Sequence, residues 1–219
     1  MNNKPSFLFR LFRAFTPPII FKSIISFFEN YKPALFDGEE NALLFKKYIQ
    51  KCNVYGEYGC GLSTEYVLKN TNCSIVSIDS SNEWVNLVKS KADSSKKLDI
   101  YYVDVGVVGD WGRQIDYTKR ENFKNYADQL WEQNLTPDLV LIDGRFRVAC
   151  FLTCLLKAPK GTVIIFDDYT NRPEYHLVEE YASIKEKHGR QAVFITQALT
   201  QDKKYEIEKI VKHFYYVMD

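Results

Sequence analysis

Carboxylates recur in this chain where short apolar runs end. Asp79 closes the run 73–79, Asp104 lies at the end of 98–105, Asp143 closes 138–143, and the pair Asp167-Asp168 follows 162–166. Ahead of them all, Glu57-Tyr58-Gly59-Cys60-Gly61-Leu62-Ser63-Thr64 follows the run 52–58 and opens a helical stretch. Glycine at 59 and 61 lets the backbone turn sharply and lets a ligand approach with no Cβ in the way. Ser63 and Thr64 can cap the helix and hydrogen-bond the ligand. A dinucleotide fingerprint would need a third glycine or alanine at position 64, where Thr64 stands. Glu57 would also repel a pyrophosphate while suiting a cationic amino-acid group. Asp79, with Ser80 beside it, can accept both hydroxyls of a ribose, and Asp104 can reach a base amine. The alternative for each acid is a turn or helix-cap residue, since aspartate is common after strands.

Asp143, Asp167 and Asp168 should converge on one rim beside the glycine turn. Carboxylates that close repel one another, and a hard divalent cation such as Mg2+ can hold them ionised. Without a metal, a rim carboxylate (Asp143 or Asp168) or His176 could act as general base on an acceptor hydroxyl. Arg145, Arg147 and Arg172 would suit an anionic acceptor, or else pair with the rim acids. The alternatives are that Asp143 contacts the bound cofactor, that Asp168 caps the next helix, that Asp167 binds a basic neighbour, and that His176 is a surface or capping histidine.

The elements that must position these residues alternate. Helical spacing covers 39–49, 63–69, 82–91, 147–156, 174–187 and 203–212, and strand patterns cover 52–58, 73–79, 98–105, 138–143, 162–166, 192–196 and 214–217. The stretch 106–134 is longer and mixed, with Trp111, Tyr117, Phe123, Tyr126 and Trp131. Strands separated by helices imply right-handed crossovers. The expectation is an α/β, Rossmann-like, mostly parallel sheet of about seven strands with helices on both faces, over 37–219.

Residues 1–36 are expected to form an apolar, basic helical extension. The run 6–28 is rich in Phe, Leu and Ile but is broken by Arg10, Arg13, Lys22 and Pro17-Pro18, so it suits neither a membrane span nor a signal peptide. It reads as short helices packed on the domain or on a second subunit, or as a segment lying on a membrane surface. The 29 Lys+Arg against 28 Asp+Glu argue against nucleic acid as a partner. Five cysteines without C-x-x-C spacing read as reduced thiols of a cytoplasmic protein, peripheral to the inner membrane face if the extension binds lipid.

Over roughly 52–194 the chain resembles the class I S-adenosylmethionine-dependent methyltransferases. The likeness rests on the E-x-G-x-G-x-S-T turn, the Ile78-Asp79 strand end and Leu141-Ile142-Asp143-Gly144. It implies that the glycine turn holds the methionine part of S-adenosylmethionine, that Asp79 holds the ribose and that Asp104 contacts adenine. The runs 137–152 and 163–169, followed by Arg172-Pro173, look like small bacterial methyltransferase-like proteins associated with surface-polysaccharide synthesis. The rim acids are similar to the magnesium site of catechol-type O-methyltransferases, although Asp168 stands where that group has an amide. The implied function is O-methylation of a small or saccharide acceptor. The alternative is a non-catalytic methyltransferase-like scaffold in an envelope-polysaccharide pathway.

Overall fold

The computed structural model describes residues 34–92 and 97–217. The apolar run 6–28 lies outside the described residues. Of the extension, residues 34–36 are described, and they join the domain, with Phe36 buried against Phe45 at a ring distance of 5.2 Å.

The strands are β1 (Val54–Tyr58), β2 (Ser74–Asp79), β3 (Leu98–Tyr102), β4 (Leu139–Ile142), β5 (Val163–Phe166), β6 (Ile184–His188) and β7 (Gln191–Ile195). The helices are α1 (Leu43–Ile49), α2 (Leu62–Asn70), α3 (Asn82–Lys91), α4 (Phe123–Asp128), α5 (Arg147–Lys157) and α6 (Gln201–Phe214). The strands form one seven-stranded sheet in the order β3-β2-β1-β4-β5-β7-β6. The first five strands are parallel, and β7 runs antiparallel to both β5 and β6. This is the α/β, mostly parallel Rossmann-like sheet expected from the sequence.

The apolar runs are continuous because both faces of the inner strands are covered. Val140 and Ile142 face the core under α4, α5 and α6, while Leu139 and Leu141 face the core under α1 and α2. On the first face Phe151 of α5 packs edge-on against Phe194 of β7, with centroids 4.7 Å apart.

Two late elements differ from the sequence reading. The helix expected over 174–187 is a 3-10 stretch, Pro173–Glu180, followed by strand β6. β6 is an edge strand whose exposed Lys185 and Lys187 alternate with half-buried residues, so it carries almost no hydrophobic signal. The strand expected over 214–217 is instead the last residue of α6 and the turn that follows it. Ile207, Val211 and Tyr215 recur every fourth residue and turn one helical stripe into the core. β3 also stops at Tyr102, so Asp104 is not its last residue.

No helix among the described residues is long and apolar enough to cross a membrane. The five cysteines are free thiols, three buried and two half-buried.

Phe151→Ala should destabilise the domain by about 3–5 kcal/mol, because a large ring is removed from a fully packed contact. Urea unfolding measures this, and a loss below about 1 kcal/mol would contradict the packing described.

Candidate functional site

The register of the parallel strands places the site. Tyr58 pairs with Ile78 and with Ile142, and Ile142 pairs with Phe166. One residue further on, Gly59, Asp79, Asp143 and Asp167 therefore share a single rung at the carboxyl rim. The sheet order reverses between β1 and β4, the place where open α/β sheets bind ligands. Tyr102 is the β3 member of this rung, paired with Asp79. Asp104 lies two residues beyond it, half exposed, with its carboxylate on the Gly106 N–H at 3.0 Å. Asp104 thus stands in a turn just beyond the rung and not on it.

The two glycines of the first turn have different tasks. Gly59 has φ +95°, and a Cβ there would stand 2.8 Å from the Gly144 Cα and backbone nitrogen. The turns after β1 and β4 touch backbone to backbone at this point, and the Tyr126 hydroxyl also lies where a Gly144 Cβ would stand. A Cβ on Gly61 would meet nothing within 4 Å, so its Cα faces open space. One glycine serves the fold and the other leaves room for a ligand.

Glu57 does not reach the surface. Its carboxylate accepts hydrogen bonds from Tyr55 at 2.8 Å, from Ser63 at 2.9 Å and from Thr64. The Ser63 and Thr64 hydroxyls are therefore committed to Glu57, and Thr64 also accepts the Gly61 N–H at 3.0 Å. These residues shape the turn from within, and the side-chain contacts to ligand expected of Ser63 and Thr64 are replaced by this internal network. Burial pushes the Glu57 carboxyl up to about 7, against the hydrogen bonds from Thr64 and Tyr55.

Asp79 closes the turn from the β2 side. Its two oxygens accept the Cys60 and Ser81 N–H groups, each at 2.7 Å. Burial raises its pKa, and the two N–H groups and the nearby charge of Arg145 pull the other way. Ser80 donates to the Gly112 carbonyl at 2.8 Å.

On the other half of the rim Asp143, Asp167 and Asp168 do converge, with one oxygen from each inside a 4.8 Å cluster. Arginines hold all three. The Arg147 guanidinium, only 3% exposed, meets Asp143 at 3.0 Å and Asp168 at 3.3 Å. It also donates to the carbonyls of Asp143, Gly144 and Asp167. Arg190 grips Asp167 and meets Asp168 at 3.1 Å, and Arg172 meets Asp168 at 3.0 Å. The remaining Asp167 oxygen takes the Gln191 amide at 3.0 Å. A divalent cation would have to displace three guanidinium groups, so the donor set as built does not fit one. Burial alone would lower the Arg147 pKa, but Asp143 and its neighbours outweigh it and keep the group charged. Asp143, about a quarter exposed, is pushed above the usual carboxylate range by its enclosure and by Asp167.

Asp168 does not cap the next helix. It occupies a left-handed turn at φ 57°. His176 is half-buried, stacked on Tyr169 at 4.8 Å, with Nε2 on the Tyr169 carbonyl at 3.0 Å. That nitrogen is occupied, which argues against its use as a base. Arg190 and Gln191 complete the rim with no motif to mark them, and Gly144 and Tyr126 shape it although the sequence marks them only as part of a strand end and of a mixed stretch. A Gly189-Arg190 step between alternating segments was the available signal for the first two.

Solved structures share this architecture. A methyltransferase-like protein from Silicibacter pomeroyi superposes with a TM-score of 0.72 at 26% identity, over 82% of this chain and 97% of that one. The fold is methyltransferase-like. The N-methyltransferase NodS from Bradyrhizobium japonicum, in complex with S-adenosyl-L-homocysteine, superposes with a TM-score of 0.50 at 12% identity, over 74% of this chain and 88% of that one. No protein-family model matches the chain, and no curated protein matches it in sequence.

Two outcomes follow from the turn. Gly59→Ala should cost several kcal/mol and fold poorly, because it combines positive φ with a backbone clash. Gly61→Ala should melt close to wild type. A Gly59→Ala protein with unchanged melting temperature would refute the backbone contact as a constraint. For Glu57, the folded state holds a proton between pH 4.5 and about 7 that the unfolded chain has released. Its contribution to stability is fully present below pH 4.5 and declines as pH rises to about 7. Glu57→Gln should therefore gain up to about 3 kcal/mol relative to wild type across that window. Urea melts at several pH values read this, and a pH-independent difference between the two proteins would overturn it.

Proposed function

We propose that this chain is an S-adenosylmethionine-dependent methyltransferase that methylates a hydroxyl of a small or saccharide acceptor. The observation that carries the reading is the open Cα of Gly61 beside the buried Asp79, at the switch point of a methyltransferase-like sheet. The residues fit such a ligand: Gly61 leaves space that a Cβ would fill, and Asp79 retains lone pairs beside the two N–H groups it accepts. When bound, the cofactor supplies a methyl group on a sulfonium.

The chain's own residues do the rest. Asp79 and Ser80 orient the ribose, and the Glu57 network holds the turn in shape. Asp143 is the rim carboxylate with both exposure and a raised pKa, and it takes the proton from the acceptor hydroxyl. Arg147 fixes its orientation. Arg172, the most exposed of the three clamping arginines, faces acceptors that carry an anionic group. No step is assigned to a metal.

A second reading, a methyltransferase-like scaffold, is favoured by exposed apolar side chains on one loop: Val107, Trp111 and Ile115, at 60%, 79% and 61%. Calorimetry with S-adenosylhomocysteine decides for or against the nucleoside site, and no binding at millimolar ligand would reject the enzyme reading. Asp143→Asn should bind S-adenosylhomocysteine within about threefold of wild type. It should lose at least about 100-fold in label transfer from S-adenosylmethionine to a panel of sugars and phenols. Unchanged transfer would remove Asp143 from its role.

A further inference from the structure

The stretch 107–115 is a short hairpin. Gly109 donates to the Arg113 carbonyl at 2.7 Å and Ile115 to the Val107 carbonyl at 3.1 Å, on either side of the Val108–Gln114 bridge. In such a ladder alternate residues point to opposite faces. Half-buried Val108 and buried Gln114 turn inward, whereas Val107, Gly109, Arg113 and Ile115 are exposed on the other face. Val107 and Ile115 lie opposite each other there, and Trp111 forms the tip with most of its surface in solvent. Trp111 is held in the left-handed region at φ 59°, a strained conformation for a bulky residue. A ring so exposed gains little from internal packing to offset that strain, and strain of this kind marks places where something is bound.

The hairpin and the start of the domain come off the same edge of the sheet. A Cβ on Gly112 would stand 2.9 Å from Ser80 Oγ, so the tip rests on the end of β2. The chain enters the domain at the end of β5, where Asp37 bonds Arg190 and Arg190 grips Asp167. Asp79 and Asp167 share one rung and are three strand spacings apart, about 14 Å. The residues before Ala34 include seven phenylalanines, and five basic residues (Lys4, Arg10, Arg13, Lys22 and Lys32) against one acidic residue, Glu29.

Both features set aromatic and aliphatic side chains beside cations. Arg113 has the same sign as the cations of residues 1–33, so the two gain no charge attraction from each other, and both suit an anionic surface. Tryptophan beside arginine, and phenylalanine runs broken by lysine and arginine, are compositions that settle at a lipid headgroup boundary. One weak anchor holds a bilayer only reversibly, whereas two on one edge act together.

We propose that the hairpin 107–115 is a membrane-docking element. It sets Trp111, Val107 and Ile115 into the headgroup region of an anionic bilayer, in concert with residues 6–28, and so brings the carboxyl rim beside the bilayer.

Flotation of the full-length chain should show binding to phosphatidylcholine vesicles that contain phosphatidylglycerol, weakened by salt, and little binding to phosphatidylcholine alone. The triple variant Val107→Ser, Trp111→Ser, Ile115→Ser should bind the anionic vesicles about 10- to 100-fold more weakly and melt like wild type, because these side chains are exposed. Brominated lipid should quench the Trp111 emission, read as the difference between wild type and Trp111→Phe, which keeps the test open if the triple variant folds poorly. Equal binding by wild type and a well-folded triple variant, or absence of quenching, would overturn the proposal. So would a Trp111 already shielded from acrylamide without vesicles. Shielding at every protein concentration would assign the hairpin to a cover made by residues 1–33, and shielding only at high concentration to a second copy of the chain. A wild-type chain that binds no anionic vesicle, with Trp111 open to acrylamide, would leave the hairpin to a protein partner and overturn the lipid reading.

Discussion

The rim depends on one buried cation. Three carboxylates within 4.8 Å of one another would separate if left unscreened, and the strands that carry them would splay. Arg147 enters between them from the first turn of α5, almost fully enclosed, and binds carbonyls and carboxylates from the ends of both β4 and β5. Its five donors suit that crowded ring of oxygens in a way a lysine ammonium could not. Breaking one member of such a buried set leaves uncompensated charge, so the cluster is rigid as long as it is complete. Rigidity there fixes Asp143, the carboxylate with access to solvent.

A second constraint acts across the switch point. The Gly59–Gly144 contact sets how closely the turns after β1 and β4 can approach, and Glu57 ties the first of these turns to α2 through Ser63 and Thr64. Backbone strain gathers along the same rim. Asp37, Trp111, Phe146 and Asp168 all take positive φ, although none is glycine. Strain persists only where surrounding structure over-determines it, and such residues cluster where ligands are held.

Much of this was legible in the residue order. The glycine turn, the aspartates at strand ends and the continuous apolar runs together specify a parallel sheet with acids on its rim. Other features were hidden for identifiable reasons. β6 carries one apolar residue among lysines and a glutamate, so nothing separated it from the preceding helical spacing. Arg190 and Gln191 became rim residues only because that hairpin returns to β5. Glu57 looked like a ligand contact because sequence does not say whether a carboxylate points inward, and its three hydroxyl donors appear only in three dimensions. Gln114 is an ordinary loop glutamine until its burial is known.

The hairpin between β6 and β7 has a consequence for how the molecule comes into being. Arg190 bonds Asp37 across 153 positions of sequence while gripping Asp167. Contacts so distant along the chain close late, after the loop entropy between them has been overcome. During synthesis the acids at 143, 167 and 168 emerge before the arginine that completes their neutralisation. The rim is therefore among the last parts of the domain to mature, and a chain halted before residue 190 would hold most of its sheet without a finished site.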